Sequence, residues 1–260
     1  MNLEGAELED EGVTGIYGSH WEARLFAGEL MVSNTDVYSS VSSITLAFFE
    51  DSGWYKVKYQ LAEEWDYGKR LGCDFVKKSC FEYVSKMKRE GRSILPYCDN
   101  TQDIVCRDLK SYGICGVGKY TRELPQLDQF FDENAFVNKS GKYFGGTDPY
   151  QNKCPTYKSL SAIGHYQVNS FCTHEENSKE SKKYENKYLQ SYGESAVCVS
   201  HGGPWTYTKY PYLFTLSEDI KGSCHKYKCS KDTISIDFDG NTVKCSKGDE
   251  NTRFTFKNMA

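Results

Sequence analysis

The chain reads as an α+β protein stapled by disulfides, and three observations predict this. A helical period of apolar residues runs through 40–51, strict alternation appears between 233 and 245, and eleven cysteines are spread over the last two thirds of the chain. At 260 residues it can bury a core, in one or two domains. Aromatic residues make up 15% of it, with 20 Tyr and 14 Phe, a content that disordered chains lack. A net charge of −4 carries no electrostatic footprint for nucleic acid, so no nucleic-acid partner is expected. Lysine-rich stretches such as residues 178–187 alternate with glutamate and read as a solvated face.

Taken in order, residues 1–30 are punctuated by glycine and read as loop. In SSVSSITLAFFEDSGWY, Val41, Ile44, Leu46, Phe48 and Phe49 fall near helical spacing; Ser39, Ser40 or Ser42 caps the start and Gly53 stops the end. WYKVKYQLA (54–62) alternates and predicts a short strand. From Gly72 to Cys115 the crowding of cysteines predicts short, bridged elements. GRSILPYC (91–98) and YTRELPQLDQFF (120–131) are coil broken by proline, and KKYENKYLQSY (182–192) reads as a short helix. In TISIDFDGNTVKC, Ile234, Ile236 and Phe238 alternate with polar residues before Asp239-Gly240, a hairpin signal. With FTF at 254–256 this predicts a small β module holding Cys224, Cys229 and Cys245. No internal repeat or low-complexity tract is present.

The cysteines are Cys73, Cys80, Cys98, Cys106, Cys115, Cys154, Cys172, Cys198, Cys224, Cys229 and Cys245, none in the first 72 residues. So many thiols suit an oxidising compartment and disulfides, hence an extracellular or cell-surface protein. At least four bridges are expected, mostly local, with Cys73 joined to Cys80 or a near neighbour and Cys224 or Cys229 joined to Cys245. One sequon, Asn138-Lys139-Ser140, is a glycosylation candidate. Eleven is odd, which leaves one thiol free or paired outside the chain. The opening residues, MNLEGAELEDEGVTG, form no signal peptide. ITLAFF (44–49) is far too short to span a bilayer, and NTRFTFKNMA carries no lipid-anchor tail. An exported protein without these signals reads as an incomplete chain, its membrane association residing in parts not present.

Several motifs bear on chemistry. His174-Glu175-Glu176 resembles the start of a zincin helix, but position 178 is serine where a second ligand is needed, so it reads as an exposed polar loop. Cys224-His225, Cys229 and Cys245 do not repeat at zinc-ribbon spacing and read as disulfide cysteines. No nucleophile elbow, cysteine-protease signature, P-loop or dinucleotide fingerprint occurs. His20 remains. A lone histidine is more often structural than a ligand, yet this one stands in TGIYGSHW, with Glu29-Leu30-Met31 following.

The stretch ELEDEGVTGIYGSHWEARLFAGELM, continuing through SSITLAFFEDSGWYKVKYQLAEEWDYGKRLGCDF, resembles the back half of the leishmanolysin catalytic domain, a metzincin zinc metalloprotease, in a protozoan or ciliate-like form. The resemblance is motif for motif over about the first 80 residues and looser beyond. It implies that His20 is the third zinc ligand and Met31 the Met-turn residue, with GCDFVKKSC (72–80) as the entry to a cysteine-rich region. It further implies residues 1–66 as the end of a metzincin catalytic domain, 67–200 as a cysteine-rich domain and 201–260 as a small, truncated β module. The cofactor would be one Zn2+ and the substrates proteins or peptides, with cell-surface ligands as further partners. The His-Glu-x-x-His that supplies two ligands and the general base is absent from this sequence. The chain as written is therefore expected to be inactive alone. The competing reading is a non-catalytic secreted or surface adhesion protein of the same family. If His20 and Met31 are half of a metzincin-type site, Met31 lies beneath His20, the helix over 40–51 packs under the same site, and the His20 ring faces an open concavity.

Overall fold

The computed structural model describes residues 5–34, 39–101, 103–131, 140–159, 170–178, 189–201, 205–209, 214–218 and 221–246. Its α-helices are α1 (Ala23–Phe26), α2 (Ser43–Asp51), α3 (Cys73–Lys77) and α4 (Cys80–Arg89). The strands are β1 (Ile104–Cys106), β2 (Tyr112–Cys115), β3 (Val117–Lys119), β4 (Phe144–Gly146), β5 (Tyr157–Lys158) and β6 (Ala196–Ser200). They continue with β7 (Trp205–Lys209), β8 (Phe214–Glu218), β9 (Gly222–Ser230), β10 (Thr233–Phe238) and β11 (Asn241–Ser246). All the ladders between them are antiparallel. This is the mixed helix-and-sheet, disulfide-rich class that the sequence predicts.

The chain divides into two compact units. One comprises residues 1–101 and 116–156, the other residues 102–115 and 157–260. The first unit is helical apart from the two-stranded β3–β4 ladder. Its core is aromatic: Phe75, Tyr83 and Tyr97 stand with ring centroids 5.7–5.9 Å apart, and Phe26 stacks on Trp65 at 5.7 Å. α4 feeds this core from Cys80, Tyr83, Val84 and Met87, the spacing of one helix face. A capping box between Ser79 and Glu82 starts that helix. α1 is fastened to α3 by the buried Arg24, whose guanidinium donates to the carbonyls of Phe75 and Lys78 at 3.2 and 3.3 Å. A cation there satisfies carbonyls that the end of a short helix leaves open.

The second unit holds a three-stranded sheet ordered β1-β2-β5, a four-stranded sheet ordered β11-β10-β9-β6, and the β7–β8 hairpin. The β10–β11 hairpin turns at Asp239 and Gly240, with φ of 52° and 88°. Two successive positive φ values are what a tight hairpin matching strand twist demands, and Asp-Gly accommodates them.

Two expectations are corrected. Residues 54–62 form no strand; they run as extended coil into a 3-10 turn at Tyr59–Leu61. Trp54 and Leu61 are 85% and 68% exposed, so the alternation has no buried face to serve. Three bridges are long-range: Cys80–Cys154, Cys106–Cys198 and Cys172–Cys224 span 74, 92 and 52 residues. Cys98 and Cys115 are also disulfide-bonded, whereas Cys73, Cys229 and Cys245 are free. Cys73 opens α3 on its exposed side while Cys80 points into the core. Cys229 and Cys245 are both paired in register with Ile234, on opposite sides of β10, so their Cα atoms lie about 10 Å apart, beyond the reach of a disulfide. Asn138, residues 182–188 and residues 254–256 lie outside the described residues. Residues 189–192, the end of the helix expected over 182–192, are not helical.

Candidate metal centre

His20 sits where three backbone segments meet. The amide of Glu9 donates to the His20 carbonyl at 2.9 Å, and Leu8 and Trp21 form an antiparallel bridge. On the other side the Trp21 amide donates to the Met31 carbonyl at 2.9 Å, and Trp21 bridges Val32 in parallel. The chain therefore doubles back between His20 and Met31, as the sequence predicts. Met31 packs, half-buried, against the aromatic core.

The ring itself is half-exposed. Its Nδ1 lies 3.2 Å from the Ile16 carbonyl and 3.1 Å from Ser19 Oγ, while the Ser19 hydroxyl turns back on the Gly15 and Ile16 carbonyls. A carbonyl can only accept, so Nδ1 carries the proton and Nε2 keeps its lone pair. That is the tautomer a metal-binding imidazole uses, with its other nitrogen held by a backbone carbonyl. Among the described residues no hydrogen-bond partner falls on Nε2.

Glu29 ties the surrounding backbone together. Fully buried, it accepts from the Met31 amide at 2.6 Å through Oε2. Through Oε1 it accepts from the Ser42 amide and hydroxyl at 3.1 and 3.0 Å and from the Thr45 hydroxyl at 2.5 Å. Trp21 Nε1 donates in turn to Thr45 Oγ1 at 2.9 Å. One carboxylate thus joins the residue after His20, the turn carrying Met31 and the start of α2. Ser42 also caps α2, its hydroxyl accepting from the amides of Ile44 and Thr45. Sequence reasoning missed Glu29. The available signal was an acid set among apolar residues two positions before Met31.

A second acidic group lies alongside. Glu9, Asp10 and Glu22 bring carboxylate oxygens within 4.8 Å of one another, and Glu9 and Glu22 are buried. Burial pushes the Glu22 carboxyl up to about 7, helped by the charges of Glu9 and Asp10 and opposed by the Arg24 amide. His20 is not a member of that group, the one set of three potential ligands among the described residues. A catalytic zinc needs three protein ligands with a fourth position open. Around His20 the described residues thus offer an imidazole of the right tautomer but no set of three ligands that includes it. A concavity of about 350 Å³ lies elsewhere, lined by Lys119, Tyr120, Thr121, Ser140, Tyr143 and Phe144. No helix among the described residues is long and apolar enough to cross a membrane.

Comparison with known proteins defines the class. The peptidase M8 model, described as leishmanolysin, matches residues 1–258. A leishmanolysin-like peptidase of Caenorhabditis elegans is 34% identical over 251 residues, covering 90% of this chain and 36% of that protein. One from Drosophila melanogaster is 34% identical over 256 residues, covering 94% and 37%. A leishmanolysin homolog of Crithidia fasciculata is 35% identical over 161 residues, covering 61% and 22%. Leishmanolysin is a metallopeptidase family. The chain belongs to the leishmanolysin family, and it spans little more than a third of the length of the animal relatives it matches.

Proposed function

We propose that residues 1–260 are the Met-turn and cysteine-rich portion of a leishmanolysin-type zinc metalloendopeptidase that hydrolyses protein or peptide substrates outside the cell or at its surface. In this reading His20 gives Nε2 to the zinc, and Met31 forms the floor of the site. The remaining ligands and the general base belong to a His-Glu-x-x-His segment that these residues do not contain, so the chain alone is inactive. The observation that carries the reading is the fixed tautomer of His20, whose neighbour Trp21 donates its amide to the Met31 carbonyl. Residues 1–66 are assigned to the catalytic domain, 67–200 to the cysteine-rich domain and 201–260 to the β module.

The test is a chimera in which this chain replaces the matching third of the Caenorhabditis elegans relative. Purified residues 1–260 should bind no stoichiometric zinc and cleave no casein. The chimera should do both, and His20→Ala should lower its proteolysis by at least about a thousandfold, because two remaining ligands do not hold a catalytic zinc. Chelator-sensitive proteolysis by residues 1–260 alone, or an active His20→Ala chimera, would refute it. A chimera that binds zinc without cleaving peptides would favour the adhesion reading.

A further inference from the structure

The exposed apolar side chains are unevenly placed. Of the thirteen large ones that stand exposed among the described residues, nine fall at or before Leu61 and four are scattered from Leu95 to Ile234. Single exposed side chains are ordinary on a protein surface, whereas a contiguous patch marks something that it meets. The patch here is a ridge on the end of α2. Phe48 and Phe49 stand edge to face with ring centroids 5.7 Å apart, and Phe49 and Tyr55 do so at 5.4 Å. The Tyr59 hydroxyl donates to Glu50 at 2.8 Å, so the segment after α2 folds back along it. Phe48 is 47% exposed, Trp54 85%, Tyr55 55%, Tyr59 45% and Leu61 68%. At about 200 Å² for a large side chain, these five expose roughly 600 Å². A standard interface covers about 800 Å² on each partner, so the ridge supplies about three quarters of one.

We propose that this ridge is the docking face for the part of the same metallopeptidase that carries the His-Glu-x-x-His segment, a role that rests on the metal-centre reading above. The chain spans little more than a third of its animal relatives. Its exposed apolar surface is concentrated in the residues which that reading assigns to the catalytic domain. Surfaces between permanently joined parts are apolar and aromatic, like a domain core cut in half. The ridge is also continuous with the site. Trp21, next to His20, meets Phe48 edge-on at 5.6 Å, and its indole N–H donates to Thr45 of α2 at 2.9 Å. A lipid surface fits less well: Lys56 and Lys58 are offset by Glu50 and Asp51, which leaves no net positive charge to hold anionic headgroups. Trp54, the most exposed of the five, is the anchor, because aromatic side chains that lose their water dominate such contacts.

The test footprints residues 1–260 and the chimera described above with hydroxyl radicals, reading oxidation at each side chain by peptide mass. Oxidation of Trp54 should fall about tenfold in the chimera, as a ring 85% exposed becomes the core of an interface, and Tyr55 and Leu61 should follow. Leu109 and Leu127, exposed beyond the catalytic part, should react equally in both. Trp54→Ser should leave the urea midpoint of residues 1–260 unchanged and lower the thermal midpoint of the chimera by about 4 °C. Should the chimera not fold, a graft of residues 43–61 alone into the Caenorhabditis elegans relative gives the same comparison. A chimera that binds zinc while Trp54 stays as reactive as in residues 1–260 would overturn the docking face and leave the metal centre standing. Protection of Trp54 in a chimera without zinc would uphold the face and fail the metal centre. Protection that grows with the concentration of residues 1–260 alone, making the occupant a second copy, or that appears only with lipid vesicles, would overturn the proposal.

Discussion

At the scale of single residues, Glu29 and His225 show how a buried polar group makes its surroundings depend on it. Glu29 accepts four hydrogen bonds and is fully buried. Glu29→Ala should cost about 3–5 kcal/mol, since it strands the donors of Met31, Ser42 and Thr45 together. Glu29→Gln, which keeps one acceptor oxygen, should cost roughly half as much. Urea unfolding followed by tryptophan fluorescence would check both, and a neutral Glu29→Ala would contradict the network. His225 is buried, 2.6 Å from Ser223 Oγ and 4.3 Å from the Phe238 ring. Burial, then the nearby His201, push its imidazole down to about 4. The neutral form is thus the folded form. Between pH 6.5 and 4 the unfolded chain binds a proton that the folded chain refuses, so stability present above pH 6.5 is lost as pH falls toward 4. The loss should reach about 2 kcal/mol by pH 4.5. His225→Gln should flatten that part of the stability profile, measured by denaturant titration at pH 7.5 and pH 4.5.

At the scale of elements, α2 and the β10–β11 hairpin were legible because local chemistry decides them. Ser42 and Gly53 bracket one, with Gly53 at a φ of 73°, and Asp239-Gly240 turns the other. Ser42→Ala should cost about 1–2 kcal/mol, losing both the cap and a donor to Glu29, with thermal unfolding as the readout. α4 was not read from the sequence, where only short bridged elements were expected, although the Ser79–Glu82 capping box and one buried face are local signals for it. Residues 54–62 misled for the opposite reason. Alternation reports a strand only where one face is buried, and here the tertiary structure leaves Trp54 and Leu61 in solvent. The proximity of His20 and Met31 was read from a motif, whereas the carboxylate that holds them was hidden because its partners are backbone amides and hydroxyls sixteen positions away or fewer.

At the scale of the whole molecule, the disulfides were the least legible feature. Sequence spacing favours near neighbours, but a bridge needs Cα atoms about 5–6 Å apart in the folded chain. The observed pairs meet at 6.1, 5.5 and 5.1 Å after detours of 74, 92 and 52 residues. These three closures interlock. Cys106 lies inside the loop closed by Cys80–Cys154, and Cys172 lies inside the loop closed by Cys106–Cys198. Every peptide bond between Cys80 and Cys224 is therefore spanned by at least one covalent detour. A nick by a protease anywhere in that interval should leave both pieces in one particle. Limited trypsin digestion should give a single band on a non-reducing gel that splits into fragments only with reductant. A polypeptide working among proteases can in this way accumulate cuts in its loops and still travel as one body.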